Sequence, residues 1–378
     1  MKIPFTRPSI GAAEVRAVTR ALRERHIGGN GPISKRVQKR IAEITGSPHA
    51  LLTPNATQAM EMLMIALNIG PGDEVILPSF SFVSMANAVL TRGATPVFCE
   101  IDRGTLNMDP KDVARRITKR TKMVMPVHYG GVSADMDALG ALCAESGAFL
   151  FEDAAQGIDA TWRGQPLGTI APAGCLSFHE TKNLTAGEGG ALLIRDLELF
   201  HRAEIVQEKG TNRSAFLRGE VDKYTWVDRG GSYVVADILA ALLEVQLERR
   251  HELLARRMEI WRLYYDGLAD LERKGLIARP VVPEHAGHNA HIFFLVAESH
   301  ALQMKILKHL KSKDISATFH FQPLHSSPFA NKHLPSANYA LPETDRAALQ
   351  LVRLPLFSGL SKKDARRVIA ETIAATAT

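Results

Sequence analysis

The chain has 378 residues, of which 46% are hydrophobic and 23% charged, enough to bury the core of one large domain and a smaller one. Charged residues interrupt the apolar runs well before membrane-spanning length, and the first residues lack the apolar core of a secretory signal. We therefore expect a cytoplasmic protein with no membrane partner. The net charge of +6 comes from basic residues dispersed among acids, and an anionic small substrate fits it as well as nucleic acid does; we expect no nucleic-acid partner.

The three cysteines and the histidines do not form a disulfide or metal pattern. Cys99, Cys143 and Cys175 are an odd number, far apart, and each lies in apolar sequence, which predicts buried thiols. The 14 histidines lack the paired spacing of metal ligands. We expect no metal site.

Helical and apolar segments alternate from the start of the chain. Two helical stretches flank the glycine loop "IGGNGP", and short apolar runs then alternate with helical ones. This alternation predicts an α/β fold whose sheet is mainly parallel. The predicted strands are "HALLTP", "DEVILPS", "TPVFCEI", "KMVMPVHYGG" and "AFLFEDA".

A second, smaller α/β domain is predicted at the C-terminus. One long helix from "SYVVADIL" to "YYDGLADL" is expected to connect the two, with a large domain at 1–250 and a small one at 251–378. In the small domain "AHIFFLVA" and "ISATFHF" are predicted strands, and "SHALQMKILKHLKSK" and "SKKDARRVIAETIAA" are predicted helices.

A lysine interrupts two apolar runs in "CLSFHETKNLTAGEGGALLIRD", residues 175–196. A charged amine there is costly unless something uses it, although Lys182 alone is also compatible with an ordinary loop lysine. Asp153 directly follows the apolar run "AFLFE". Ligands gather at the carboxyl ends of parallel strands, but Asp153 alone could equally cap a following helix.

Together these two residues indicate pyridoxal phosphate (PLP). That cofactor needs a lysine to bond its aldehyde carbon and a carboxylate to keep its ring nitrogen protonated. Asn55, Ala56 and Thr57 open a helix after a strand, where free backbone N–H groups favour a phosphate; helix capping alone would also explain them. Ser177 is a further candidate donor.

Two phenylalanines follow the strand "DEVILP". Phe80 and Phe82 lie on one side of an extended segment, and either could offer a face to the cofactor ring. Burial in the core is the more common role of phenylalanine.

Six ordered segments resemble the DegT/DnrJ/EryC1/StrS sugar aminotransferases, from residue 3 to the last helix. They are "GGNGP", "ILPSFSFVSMANAV", "PVHYGG", "FEDAAQ", "SFHETKNLTAGEGGALL" and "RLPLF". The resemblance implies a fold-type I PLP-dependent transferase, similar to aspartate aminotransferase. It also implies a homodimer whose sites form across the subunit boundary.

The resemblance implies a role at each matching position. Lys182 bonds to the cofactor and moves the proton, and Asp153 pairs with the ring nitrogen. Gln156 contacts the phenolic oxygen or the ring face, and Phe82 stacks on the ring. The phosphate ligands that it implies are Ala56, Thr57 and Ser177.

Two positions depart from the pattern of many relatives. Ser232 stands where an asparagine reaches the phosphate of the other subunit, and Ala56 stands where glycine is common. A phosphate held by backbone N–H groups tolerates alanine if the local φ is negative.

The segments "SFHETKN", "KGTNRS" and "VDKYTW" are most similar to members that use L-glutamate to aminate a dTDP-4-keto-6-deoxyhexose at C4, for surface polysaccharides. A family member acting at C3 or on a UDP-sugar remains an alternative. A nucleotide diphosphate needs basic partners, for which Lys209, Asn212 and Arg213 are candidates, although an ordinary exposed polar loop is equally compatible. His325 matches a histidine near the substrate.

Overall fold

The computed structural model describes residues 2–334 and 339–377. Strands of the N-terminal part form one seven-stranded sheet and part of a small second sheet. In chain order they are β1 (His49–Thr53), β2 (Glu74–Pro78), β3 (Thr95–Cys99), β4 (Thr121–Val124), β5 (Phe149–Asp153), β6 (Thr161–Trp162), β7 (Gln165–Pro166), β8 (Ala173–Ser177) and β9 (Gly190–Ile194).

The seven-stranded sheet has the order β1-β9-β8-β5-β4-β2-β3. The strands β3, β2, β4, β5 and β8 pair in parallel, and only β9 runs antiparallel to its neighbours β8 and β1. Every residue of β2, β8 and β9 is buried, which explains their continuous apolar runs. The predicted α/β fold with a mainly parallel sheet is confirmed.

Helices cover both faces of this sheet. Those of the N-terminal part are α1 (Ala12–Glu24), α2 (Pro32–Thr45), α3 (Ala56–Ala66), α4 (Val83–Thr91), α5 (Pro110–Arg116), α6 (Met136–Ser146), α7 (Leu197–Gln207) and α8 (Arg213–Leu217), with a 3-10 turn at Tyr129–Gly131. Apolar side chains from both faces of the sheet form two separate core clusters. Cys99, Cys143 and Cys175 are buried free thiols, as predicted.

The C-terminal part has its own three-stranded antiparallel sheet of order β10-β12-β13, and a third apolar core. Its helices are α9 (Asp237–Glu248), α10 (Arg250–Gly267), α11 (Ala269–Arg273), α12 (His300–Ser312), α13 (Pro328–His333), α14 (Pro342–Gln350) and α15 (Lys362–Ala377). Its strands are β10 (Ile277–Ala278), β11 (Ala286–Gly287), β12 (Phe293–Ala297) and β13 (Leu351–Leu354), of which β11 pairs with β6.

The prediction of a single long connecting helix is wrong. The helix begins at Asp237 instead of Ser232, and it breaks at Arg249 and Leu268 into α9, α10 and α11. The first boundary follows from the segment before it, because Ser232 bridges to Glu208 and Ala236 bridges to Gly29. The side chain of Asp237 accepts hydrogen bonds from the backbone N–H groups of Ile33 and Ser34 and so caps α2. The division of the chain at residue 250 stays a prediction.

The predicted strand "ISATFHF" is also wrong. Only isolated bridges form there, between Ile3 and Ile315 and between Thr318 and Arg353. The place beside β12 is taken by β13, whose four residues pair with it in antiparallel register. Among the described residues, no helix is long and apolar enough to cross a membrane.

Candidate active site

A cavity of about 500 Å³ opens at the carboxyl edge of the large sheet. The loops after β5 and β8 and the start of α3 line it, since the carboxyl ends of β1, β5 and β8 share that edge. The structure brings seven of the predicted site residues together there: Ala56, Thr57, Phe82, Asp153, Gln156, Ser177 and Lys182.

Asp153 is the last residue of β5 and is buried. Its Oδ1 accepts a hydrogen bond from the backbone N–H of Ala155 at 2.9 Å, and the thiol of Cys175 lies 3.8 Å from the same oxygen. Burial raises the pKa of Asp153, while the Ala155 N–H and the charge of Lys182 oppose that change. No helix follows β5 directly, so the alternative that Asp153 is only a helix cap is wrong.

Lys182 lies in a turn after β8, where its backbone N–H donates to the carbonyl of His179 at 2.9 Å. The side chain keeps accessible surface because it lines the cavity, yet protein atoms surround the amine. Burial lowers the pKa of Lys182 to about 8, with Asp153 opposing the shift and Arg353 adding to it. No carboxylate of the described chain forms an ion pair with this amine.

The first turn of α3 offers an anion site. Asn55 caps the helix through a bond from Gln58 N at 2.8 Å, and neither Ala56 N nor Thr57 N has an acceptor in the described chain. Gly190 of β9 packs directly on this turn, since a Cβ there would overlap the Asn55 backbone. These free N–H groups and the helix dipole favour a phosphate.

Hydroxyl groups surround the same turn. Thr57 Oγ1 donates to Ser84 Oγ at 2.8 Å, and both residues line the cavity with Ser177. Ser84 was missed by sequence reasoning. We refer to Ala56, Thr57, Ser84 and Ser177 as the phosphate cup.

Gln156 and Phe82 occupy positions suited to a planar ring. Gln156 Oε1 accepts from Gly130 N at 2.8 Å, so its Nε2 remains to donate toward the cavity. Phe82 lines the cavity and is 61% exposed, whereas Phe80 is fully buried beside Tyr129. The two phenylalanines therefore do not present one shared face.

The other predicted residues lie outside this cavity. Lys209, Asn212, Arg213 and Ser232 cluster near the surface around the buried Glu208, and we call these five residues the 208–232 group. Glu208 lies 3.9 Å from Lys209 Nζ and 3.4 Å from Arg213 Nη1, and it bridges to Ser232 through the backbone. The structure thus places the predicted diphosphate ligands away from Lys182 of the same chain.

His325 also lies outside the cavity. Its Nδ1 makes a 2.7 Å hydrogen bond with Ser79 Oγ, and its Nε2 lies 3.5 Å from Asp345. These contacts fix the segment after Phe321 against the end of β2. A substrate contact for His325 stays a prediction.

Sequence reasoning also missed other cavity residues, among them Phe5, His291, His320 and Arg353. His291 Nδ1 makes a 3.0 Å bond with Asn183 Oδ1, and burial holds the pKa of His291 well below its usual value, so the ring is neutral. The signal for Arg353 was present, because a guanidinium within "LQLVRLPLF" is as costly as the lysine that first drew attention.

A buried lysine, a buried carboxylate and an anion site at the carboxyl edge of a mostly parallel sheet define a PLP-dependent transferase. Within the described chain, no three His, Cys, Asp or Glu side chains come together as metal ligands. Residues 8–372 match the DegT/DnrJ/EryC1/StrS aminotransferase family, and the chain belongs to that family.

Solved structures agree with this assignment. Spr1654 of Streptococcus pneumoniae, assigned as a sugar aminotransferase and solved in its PLP form, is 27% identical with a TM-score of 0.92, over 100% of this chain and 99% of that one. The aminotransferase TlmJ of Streptoalloteichus hindustanus is 32% identical, with a TM-score of 0.91 over 100% and 99%. DesV of S. venezuelae is 30% identical, with a TM-score of 0.88 over 99% and 98%. This chain is a PLP-dependent sugar aminotransferase.

The residues present fit PLP. The phosphate cup would supply donors for its phosphate, Asp153 a carboxylate for its ring nitrogen, and Lys182 an amine for its aldehyde carbon. All three lie on the walls of the same cavity.

Proposed function

We propose that this enzyme transfers the amino group of L-glutamate to the 4-keto carbon of a dTDP-4-keto-6-deoxyhexose. The products are dTDP-4-amino-4,6-dideoxy-D-galactose and 2-oxoglutarate, and the amino sugar is a precursor of surface polysaccharide made in the cytoplasm. The choice of this sugar rests on "SFHETKN", "KGTNRS" and "VDKYTW". The observation that carries the chemistry is Lys182 in one cavity with Asp153.

The cofactor, when bound, supplies a ring that withdraws electrons from the substrate carbon losing a proton. Asp153 favours that role because its carboxylate stabilises a positive charge on the ring nitrogen. Gln156 and Phe82 orient the ring, and the phosphate cup anchors it. Closely packed side chains around Asp153 exclude water from this end of the site.

Lys182 moves the proton in both halves of the reaction. A pKa of about 8 leaves roughly a tenth of its amine neutral at pH 7, far more than for an ordinary lysine, so Nζ can accept the proton from the α-carbon of the amino donor. In the second half the same Nζ returns a proton to C4 of the sugar. The face from which Nζ delivers that proton sets the axial, galacto configuration of the new amine.

We place the 208–232 group at the cavity of a second subunit in a homodimer. Lys209, Arg213 and Ser232 of this group are exposed, and apolar side chains beside them are unusually exposed for a monomer: Leu217, Tyr224 and Trp226, the last at 78%. Lys209 and Arg213 carry the positive charge that a nucleotide diphosphate needs. Ser232 would then approach the partner's phosphate cup.

The sugar is tested by supplying the holoenzyme and L-glutamate with a panel of keto-sugar nucleotides. We expect amination of the dTDP-4-keto-6-deoxyhexose, with an axial amine at C4 by NMR, and no product from Lys182→Ala. Faster amination of a 3-keto sugar or of a UDP-sugar would overturn the proposed substrate while leaving the sugar aminotransferase assignment intact.

The shared site is tested by subunit complementation. Lys182→Ala and the double variant Lys209→Ala/Arg213→Ala are each expected to be inactive as homodimers. Co-refolded heterodimers contain one site with both an intact Lys182 and an intact 208–232 group. The activity per heterodimer should therefore be about half that of the wild-type dimer. Mixtures that stay inactive, although mixed dimers are isolated, would place the 208–232 group at its own subunit's site, and a double variant that is active as a homodimer would place it at none.

A further inference from the structure

Arg353 brings an unmatched positive charge to the cavity wall. It lies in β13, between buried neighbours, and lines the cavity with Lys182. Its Nε is buried and has no hydrogen-bond partner in the described chain. A buried donor without a partner is costly, which calls for an acceptor that the chain itself does not supply.

Neutral groups fix the direction of this guanidinium. Nη1 of Arg353 donates to His320 Nε2 at 3.2 Å, and His320 Nδ1 makes a 2.9 Å bond with the hydroxyl of Tyr129. Because arginine can only donate, the His320 proton sits on Nδ1. Arg353 also stacks over the ring of Phe5 at 4.8 Å, so the guanidinium plane is held from a second direction.

Arg257, another buried arginine, differs from Arg353 because the chain supplies acceptors for it. Arg257 donates to the carbonyls of Ala290 and His291 at 3.1 and 2.6 Å, so both of these donors are used within the chain. Arg353 has no carboxylate at ion-pair distance among the described residues and donates only to a neutral imidazole. Its remaining donors suit a planar, bidentate anion.

The position of Arg353 relative to Lys182 selects among the anions of the reaction. Arg353 and Lys182 line the same cavity, and the positive charge of Arg353 contributes to the lowered pKa of Lys182. In an α-amino acid the carboxylate is bonded to the carbon that Lys182 deprotonates. In a sugar nucleotide the diphosphate is on C1, across the ring from the reacting C4.

We infer that Arg353 binds the α-carboxylate of the amino donor and orients its α-carbon toward Lys182. This inference rests on the proposed function for the use of an amino-acid donor. When the sugar occupies the site there is no carboxylate to bind, so Arg353 acts in the first half of the reaction and not in the second.

The test separates the two half-reactions of the holoenzyme. Second-order rate constants for the loss of the lysine-bound cofactor absorbance are measured with L-glutamate, with L-glutamine and with dTDP-4-amino-4,6-dideoxy-D-galactose. We compare wild type, Arg353→Gln, Arg353→Lys and, as a matched control outside the cavity, Arg346→Gln.

We expect Arg353→Gln to lose at least about 100-fold with both amino acids and to lose less than about threefold with the amino sugar. Arg353→Lys should recover part of the loss, and Arg346→Gln should behave as wild type. The melting temperature of Arg353→Gln should not fall, because the substitution removes an unpaired buried cation.

Four results would overturn the inference. A loss with L-glutamate alone would assign Arg353 to the side-chain carboxylate, and equal losses with amino acids and amino sugar, or a lowered melting temperature, would make it structural. Unchanged rate constants in Arg353→Gln would show that Arg353 does not bind the amino donor. A wild-type enzyme that reacts with both amino acids but not with the amino sugar would instead reject the proposed sugar, and the amino-acid comparison would still decide the role of Arg353.

Discussion

Asp153 ends β5, Lys182 lies in the turn after the neighbouring parallel strand β8, and both line one cavity. Burial disfavours the charged form of each, and the charge of each favours the charged form of the other. Both residues can therefore carry charge in a site that holds little water. This suits Lys182, whose amine must gain and lose a proton in the proposed reaction.

Lys182→Ala should reduce transamination by at least about 100-fold, since it removes the group that moves the proton. Folding should be intact, because no ion pair or hydrogen bond of this amine in the described chain is lost. Turnover and the melting temperature of the cofactor-loaded protein are the measurements. Lys122→Ala, on β4 outside this cavity, is the control. A Lys182→Ala enzyme that still transaminates would contradict the assignment.

Asp153→Asn should keep the hydrogen bond from Ala155 N and lose the negative charge. We expect turnover to fall about 100- to 1000-fold with little change in stability, as for other groups that stabilise developing charge. Cys175→Ala, which removes the thiol beside the same oxygen, should change turnover only slightly. Comparable losses in the two variants would point to packing around β5 rather than to the carboxylate charge.

Glu152, the neighbour of Asp153 in the chain, should give the opposite result, a loss of stability with little loss of turnover. It points away from the cavity, is fully buried, and accepts from Gly168 N, Ile170 N and Ala171 N and from His128 Nε2. Because Glu152→Gln turns an amide N–H toward these donors, we expect about 2 to 4 kcal/mol of lost stability.

Urea unfolding measures the Glu152→Gln effect as a shift of the midpoint at unchanged slope. The activity of the fraction that remains folded should be close to wild type. A variant as stable as wild type but inactive would place Glu152 in the catalytic chemistry.

The pH dependence of cofactor attachment should report on Lys182. Its pKa is lowered to about 8, so more of the amine is neutral at a given pH than for an ordinary lysine. The rate at which the apoenzyme bonds PLP should therefore rise with pH, reach half its maximum near pH 8 and level off above. Arg353→Gln should move this midpoint upward, because it removes a positive charge that lowers the pKa. A wild-type midpoint near 10 would contradict the burial of the amine.

Sequence periodicity was sufficient for the large sheet and its helices because each buried strand is a short apolar run bounded by turn residues. Periodicity failed where contacts with distant parts of the chain decide whether a segment becomes a strand or a helix. "ISATFHF" alternates like a strand, but "LVRL", which contains an arginine, takes the place beside β12. The long helix was overextended because Ser232–Ala236 has helix-compatible residues whose partners, Gly29 and Glu208, are far away in sequence.

The site was predictable where one residue sits at a strand end, as for Asp153 and Lys182. Arg353 and His320 come from a distant part of the chain and enter the cavity only through the pairing of β12 with β13 and the Thr318–Arg353 bridge. Lys209, Asn212 and Arg213 were assigned to the substrate because a diphosphate needs basic and polar partners, and Ser232 was assigned to the phosphate from the resemblance. Neither argument could place these residues relative to the cavity of their own chain.

Borohydride reduction of the PLP-loaded enzyme followed by peptide mass spectrometry tests the central claim most directly. Reduction makes the bond between lysine and cofactor permanent, so the modified residue can be read from the peptides. The account predicts a single pyridoxyl group on the peptide that contains Lys182, and no such group in Lys182→Ala. A pyridoxyl group on another lysine, or on none, would contradict it.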